Sequence, residues 1–499
     1  MKEKFFWADA IADQIIKKNP KKKQYVCAAG TGLSGRVHIG NFRDVITAEL
    51  VVRALKDKGK NVKFIYSWDD YDRFRKVPVG IDEKYEKYLG MPVSEFPSPF
   101  SKTKNYARYF EEEFEKSLKK VGVKSKFIYQ HKMHKANKYK KLIKIAIDKR
   151  GAIMKILNKY RKDLLDKDWW PITVYCEKCK KDFTKILDVK EYVVGYSCKC
   201  GYIGKIDFRK KPGVKLKWRV DWPARWFYEK VDFEPGGIDL SVYGGSFMTG
   251  KEIAKEIFDY EAPMYVFYDW IKIKGGEEFS GSSGNVLTIN DVADIYEPEI
   301  LRYLFVGTKP KTGFQISFDN DVIKIYEDYD SLEQNYYEGK ANHQKKRIYE
   351  LSQVNKVPKK KPEKISFRHL VTLVQTGKIK TLKGDDKKRA EKVENWLEKY
   401  AGEDMKFSIQ EVIPKKLKLG AKQKIALIEL RGALESKKWK EEDLFNEFYE
   451  ICKKTGLENT EFFQIAYNII IDKNKGPRLA TLILAIGQDK IIKLLDQVR

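Results

Sequence analysis

Gln24–Asn41 reads QYVCAAGTGLSGRVHIGN, and it decides the fold class. Gln24–Ala29 is a short apolar strand, Gly30–Gly35 a glycine-rich turn, and a helix begins near His38–Asn41. A strand feeding a helix through glycines leaves backbone N–H groups free beside the helix N-terminus, and with the helix dipole they favour a phosphate. His38 can donate to that phosphate as negative charge builds on it. Gly40 lets a flat ring approach the backbone. The spacing is neither G-x-G-x-x-G nor G-x-x-x-x-G-K-S/T, so by itself it fits a structural cap as readily as a nucleotide site. Val62–Ser67 supplies a second strand, ending at Asp69 and Asp70. Strand, turn, helix and strand describe an α/β nucleotide-binding unit.

Outward from this unit, Phe110–Val121 and Ala136–Lys159 show helical periodicity. Residues 170–235 are rich in aromatics, show little helical period and read as an inserted module. Within it, Cys176-x-x-Cys179 and Cys198-x-Cys200 have the spacing of a closed tetrahedral zinc site, with Gly195 and Gly201 expected to permit the tight knuckles. Tyr265–Trp270 is a further strand, leading through the Gly/Ser loop Gly275–Gly284 to a helix over Ile289–Phe305. From about Asp319 the pattern is helical to the end, broken by the solvated linker KVPKKKPEK at Lys356–Lys364. Asp69 and Asp70 fit either paired catalytic carboxylates or ion pairs with Arg73, Arg75 and Lys76.

The 499 residues exceed what one core supports, and 42% hydrophobic content excludes global disorder. A net charge of +28 predicts an attraction for polyanions, nucleic acid first, although a lysine-rich heat-adapted surface gives a similar surplus. Six cysteines are too few for a disulfide framework, and no apolar run is long enough to span a membrane or form a signal peptide, so a cytoplasmic location is expected.

Taken together, the motifs resemble the class I lysyl-tRNA synthetases. His38-Ile39-Gly40-Asn41 matches the class signature, and Trp68–Arg73 with Arg75–Pro78 the segment after the second strand. Trp218-Arg219-Val220-Asp221-Trp222-Pro223-Ala224-Arg225-Trp226 is similar to the family's most distinctive run, with Gly244–Ser246 and Thr249-Gly250 following. Glu299–Leu304 and Phe318–Val322 resemble the stem-contact region, and Lys454–Leu457 and Gly476–Leu479 the helical anticodon-binding domain.

The resemblance implies an α/β fold: a Rossmann-type catalytic domain with a zinc-binding insertion, then an all-helical anticodon-binding domain. The implied bounds are 1–165 and 236–310 for the two catalytic halves, 166–235 for the insertion, 311–360 for the stem-contact region and 361–499 for the anticodon domain. It implies ATP-dependent activation of lysine and transfer to tRNA(Lys), with Mg2+ and a structural Zn2+, in a monomer with no membrane association. By resemblance, Gly30, Trp218 and Tyr268 surround lysine. His38, Gly40, Asn41, Gly237 and Asp239 lie at ATP, with His38 and Asn41 catalytic. Ser280 and Ser282 belong to a catalytic loop closing over the phosphates, and Arg478, at a helix start in the anticodon-binding region, fits either a tRNA contact or a helix-capping Gly-Pro-Arg turn. Trp222 and Trp226 are expected to be core packing.

Four departures from the family pattern stand out. Glu278 and Ser283 replace lysines of the closing loop, Leu240 replaces a histidine, and Gly32-Leu33 replaces Thr-Pro. Ser98, Lys102, Thr103 and Tyr109 replace the ligands of a second zinc, whose absence is expected. Either Lys272 and Lys274 compensate in an active enzyme, or the chain is a degraded paralogue that binds tRNA without charging it. A different amino-acid specificity is a weaker third reading.

Overall fold

The computed structural model describes residues 6–275, 286–414 and 416–498. It divides into two compact units: Met1–Ala293 with Pro298–Ile316 and Lys340–Val357, and Asp294–Glu297 with Ser317–Gly339 and Pro358–Arg499.

The first unit is built on a five-stranded parallel sheet. Its opening strands are β1 (Tyr25–Gly32), β2 (Val62–Asp69) and β3 (Lys126–Tyr129). Five short strands follow in the inserted module: β4 (Ile172–Val174), β5 (Thr184–Lys190), β6 (Val193–Cys198), β7 (Ile203–Asp207) and β8 (Val214–Leu216). The large sheet then resumes with β9 (Phe233–Gly237) and β10 (Met264–Tyr268), in the order β10-β9-β1-β2-β3. Tyr25–Ala29 is buried throughout, as a central parallel strand covered on both faces must be. Helix Ile39–Asp57 follows β1, and from Phe42 to Val52 every residue is buried. The strand order reverses between β1 and β9, which pair at Cys27 and Phe233. At such a switch point the chains diverge from the carboxyl ends of the strands and leave a crevice. Gly30 at the end of β1 pairs with Ser67 of β2, and a Cβ on Gly30 would lie 2.8 Å from the Ser67 carbonyl oxygen, so the close approach of the two strands requires glycine there.

The inserted module pairs β4 with β8 and forms an antiparallel sheet from β5, β6 and β7. Its expected lack of helix does not hold: Trp218–Glu229 is a twelve-residue helix with Pro223 inside it. Aromatic bulk and the proline hide its period, while packing of Val220, Trp222, Ala224 and Trp226 holds it. The long helix over Ala136–Lys159 is instead two, Lys140–Asp148 and Arg150–Asn158, meeting at Lys149 with ψ near 21°. The expected helix Ile289–Phe305 also breaks, into Ile289–Ala293 and Pro298–Val306. Pro298 has no N–H to donate and restricts the residue before it, so it starts a helix rather than continuing one.

Helix Pro298–Val306 carries Arg302, which is fully buried. Its guanidinium reaches Glu49 at 2.8 Å and donates to the backbone carbonyls of Leu351 (2.8 Å) and Val121 (3.1 Å), tying three separate segments of the unit together. The second unit is helical, with eight helices of its own among the described residues, beginning with Asp321–Tyr337. Arg389 is its counterpart: fully buried, it forms bidentate pairs with Glu297 (2.9 and 3.1 Å) and Asp330 (2.9 and 3.0 Å). A separate apolar core packs between helices Ala421–Ser436, Glu441–Thr455, Asn459–Ile471, Leu479–Ile486 and Gln488–Leu495.

Replacing Arg302 with Leu leaves two carbonyls and a buried carboxylate short of a donor. Chemical denaturation is expected to show a loss of about 3–5 kcal/mol. Arg302→Lys is expected to recover only part of it, since one ammonium cannot span the three acceptors. An unchanged denaturation midpoint in Arg302→Leu would contradict this account.

Candidate functional site

At the switch point lies a cavity of about 470 Å³, in the range of small-molecule sites. Gly30, His38, Gly40 and Asn41 line one side, Trp218, Gly237, Asp239 and Tyr268 the other. The structure therefore brings together all the residues expected around lysine and ATP, except the closing loop. Ser280, Ser282, Glu278 and Ser283 lie outside the described residues.

His38 is the N-cap of helix Ile39–Asp57, and Asn41 closes the first turn by accepting from the His38 backbone N–H at 3.2 Å. The Asn41 amide donates to Thr31 Oγ1 at 3.0 Å, locking the helix start to the end of β1. Burial lowers the His38 pKa to about 4, so at neutral pH the imidazole is uncharged and acts through hydrogen bonds. A Cβ on Gly40 would stand 2.8 Å from His38 Nδ1, which gives this glycine a second role: any side chain there displaces the imidazole.

The same cavity is lined by two acids that no motif disclosed. Asp44, one turn into the same helix, accepts from the Gly30 backbone N–H at 3.1 Å and from the Tyr268 hydroxyl. Burial, reinforced by Glu234, raises its pKa well above the usual carboxylate range. Glu234 on β9 accepts from the Trp226 indole N–H at 2.5 Å and from that of Trp222. Burial raises its pKa to about 7 despite both bonds. Trp222 and Trp226 are packed, as expected, but they also line the cavity and hold a carboxylate in it. Trp218 stacks on Trp222, with ring centres 5.4 Å apart and planes 13° apart, and is half exposed. The only sequence signal for Glu234 is an acid inside an apolar strand just before two glycines, a pattern too common to read.

Asp69 is ion-paired and Asp70 is hydrogen-bonded, neither of them to Arg73, Arg75 or Lys76. Arg225 donates to Asp69 Oδ1 at 2.6 Å and lies 3.3 Å from Asp221, while Asp70 accepts from the His131 backbone N–H at 2.7 Å and contacts its ring. Arg73 pairs with Asp182 at 3.3 Å. These partners come from elements distant in sequence, which neighbourhood along the chain cannot supply. Lys272 and Lys274 lie at β11 (Ile271–Ile273), which pairs in parallel with β12 (Phe314–Ile316); Lys274 donates its backbone N–H to Ile316.

In the inserted module the sulfurs of Cys176, Cys179, Cys198 and Cys200 lie within 4.8 Å of one another. Cys176–Cys200 and Cys179–Cys198 are 3.8 and 3.6 Å apart. A tetrahedron of thiolates with metal–sulfur bonds near ~2.3 Å has edges of about 3.8 Å, so the four can hold one metal ion with no open position. Gly201, with φ +85°, forms one knuckle as expected. Gly195 does not form the other: it sits within β6, where a Cβ would collide with Asp188, and Lys180, with φ +64°, takes the left-handed position.

Arg478 lies in the second unit, exposed, at the N-cap of helix Leu479–Ile486. It lines a separate cavity of about 670 Å³ with Arg368, Lys473 and Lys475. Tyr467 fixes the approach by donating to the Pro477 carbonyl at 2.5 Å.

This arrangement defines a member of the class I tRNA synthetases (K): that family's model matches residues 5–355, and the chain belongs to it. An anticodon-binding-domain model matches residues 378–499. Among its relatives, the lysine–tRNA ligase of Borreliella burgdorferi is 44% identical over 512 residues, covering 98% of each chain. That of Treponema pallidum is 40% identical over 519 residues, again covering 98% of each. That of the archaeon Pyrococcus horikoshii is 37% identical over 519 residues, covering 98% of this chain and 99% of its own.

The thiolate cluster predicts one bound metal ion per chain by elemental analysis, lost in the double variant Cys198→Ser/Cys200→Ser. Because such a site folds with its ion, stripping the metal is expected to lower the denaturant midpoint markedly. A metal-free chain as stable as the purified one would refute the reading.

Proposed function

We propose that this chain is a lysine–tRNA ligase. It joins the carboxylate of lysine to the α-phosphate of ATP with release of pyrophosphate, then passes the lysyl group to the 3′-terminal ribose of tRNA(Lys). The observation that carries the reading is a pair of acids, Asp44 and Glu234, lining the same cavity as a helix N-terminus. An amino acid with a cationic tail complements the acids, and a phosphate the helix N-terminus.

In this reading the lysine methylenes lie against Trp218, and the ε-ammonium meets Glu234, with Asp44 and the Tyr268 hydroxyl bonded to it close by. Gly30 admits the substrate at the strand end. His38, Gly40 and Asn41 hold the phosphate and adenine side, with Gly237 and Asp239 opposite. Little covalent chemistry is asked of the protein; it aligns the carboxylate with the α-phosphate and stabilises developing charge. Neutral His38 serves as a donor, not as a fixed cation. Ser280 and Ser282, which lie outside the described residues, are assigned to the phosphates by the resemblance alone. Mg2+ bound with the triphosphate would offset its anionic charge, and exposed Asp239 would offer it an oxygen ligand. The four cysteines would hold a structural Zn2+. Arg478 contacts the anticodon region of tRNA. The setting is the cytoplasm and the working form a monomer.

Lysine-dependent ATP–pyrophosphate exchange, followed by charging of tRNA with lysine beside ornithine and arginine controls, tests the reading; a protein that never exchanges is the tRNA-binding paralogue instead. The acid pocket adds a pH signature. Lysine binding favours ionised Glu234, so below about pH 7 a proton must leave as lysine enters, and KM for lysine is expected to rise up to tenfold per pH unit. Glu234→Gln is expected to raise KM by roughly 30-fold to a few thousandfold, the equivalent of about 2–5 kcal/mol, and to flatten that dependence. A variant with wild-type KM would remove Glu234 from the lysine pocket.

A further inference from the structure

Resting on the ligase reading, we infer that the rim loop Val242–Gly245, with Tyr243 at its tip, is the stacking platform that receives the single-stranded 3′ end of tRNA. Leu240 lines the cavity, and the chain emerges from it directly into this loop. Tyr243 is 81% exposed, and Val242 beside it is 54% exposed.

The loop is nonetheless tightly held. Gly245 donates to the Val242 carbonyl at 2.8 Å, and the Gly244 N–H reaches the sulfur of Met248 at 3.4 Å. Gly244 adopts φ +69°, and a Cβ there would lie 2.9 Å from Tyr160 Cβ; one on Gly245 would lie 2.5 Å from the Leu240 carbonyl oxygen. Arg219 donates to the Gly244 carbonyl at 2.8 Å and to Thr249 at 3.2 Å. Tyr160 meets the Tyr243 ring edge-on at 5.5 Å. A loop fixed this firmly, yet presenting a large aromatic ring to water, holds that ring ready for a partner.

Chemistry selects the partner. An aromatic face with cations beside it suits an unpaired base and its phosphates. Arg219 and Arg161 are both exposed and close enough to repel one another, and among the described residues neither has a carboxylate partner. In the ligase reading the only segment that must pass this rim is the unpaired end of tRNA, whose terminal ribose has to reach the cavity. The basic pair also points away from an acid-poor apolar protein surface as the occupant.

Fluorescence anisotropy with the full chain, using tRNA(Lys) and the same tRNA lacking its three unpaired 3′ nucleotides, tests the platform. The wild type is expected to bind the intact tRNA about tenfold or more tighter than the shortened one. Tyr243→Ala should bind the two alike, and Tyr243→Phe should restore the preference. Lysine-dependent ATP–pyrophosphate exchange should be the same in all three proteins. A full 3′-end preference in Tyr243→Ala, or a Phe variant no better than Ala, overturns the inference; so does a parallel fall in exchange, which would assign Tyr243 to the nucleotide. If the wild type shows the preference and the variant loses it while no protein exchanges, the platform stands and the ligase reading falls.

Discussion

Burial of the Glu234 carboxylate beneath a wall of indoles is the constraint on which the catalytic unit turns. A desolvated carboxylate is costly unless it is bonded, and two tryptophan N–H groups supply those bonds. They can do so only because helix Trp218–Glu229 places Trp222 and Trp226 on the face turned toward β9, one turn apart. The same helix sets Arg225 against Asp69 and Asp221, tying the module's end to the carboxyl edge of the sheet. Even so, two neutral-type donors leave Glu234 easily protonated. The pocket is an incomplete ion pair that a cationic ligand completes.

Other parts of the unit follow from that edge. Gly237 and Tyr268 end their strands as a register pair, and Gly30, two residues before the end of β1, lines the same cavity. Gly30 must be glycine to fit against Ser67, and its N–H then points to Asp44. One close approach of two strands thus also orients a buried acid.

The sequence disclosed what repeats a local rule. The glycine turn, the helix start at His38–Asn41 and the paired cysteines are local patterns with fixed spacing, and the structure brings each set together. The Trp218 helix escaped because propensity and period count against aromatics and proline, whereas packing between β9 and its own indoles outweighs both. Asp44 and Glu234 escaped for a different reason: their significance lies in what faces them, and Tyr268 is more than two hundred residues from Asp44 in the chain. The partners of Asp69 and Asp70 were misjudged on the same ground. Arg73, Arg75 and Lys76 are near in sequence, but a strand end points away from its own continuation and toward Arg225 and His131. Of the two left-handed positions beside the paired cysteines, Lys180 and Gly201, only the glycine was readable; Lys180 adopts the same backbone because the turn around the sulfurs demands it.

The balance of charge carries the last step. The chain is +28, yet the residues lining its principal cavity include seven carboxylates against three guanidiniums. A uniform basic field would repel a cationic amino acid while attracting every anion. Local acids reverse that field at short range, where the low-dielectric walls screen little, and leave it intact outside, where polyanions are gathered over longer distances. The two substrates of opposite sign are thereby separated within one cavity. In the ligase reading, the helix N-terminus at His38–Asn41 suits the triphosphate, because an ionised Glu234 would repel it, and the indole wall beside Glu234 suits the ammonium for the converse reason. Orientation of the amino acid, carboxylate toward phosphate and tail away from it, then follows from electrostatics before any close contact forms.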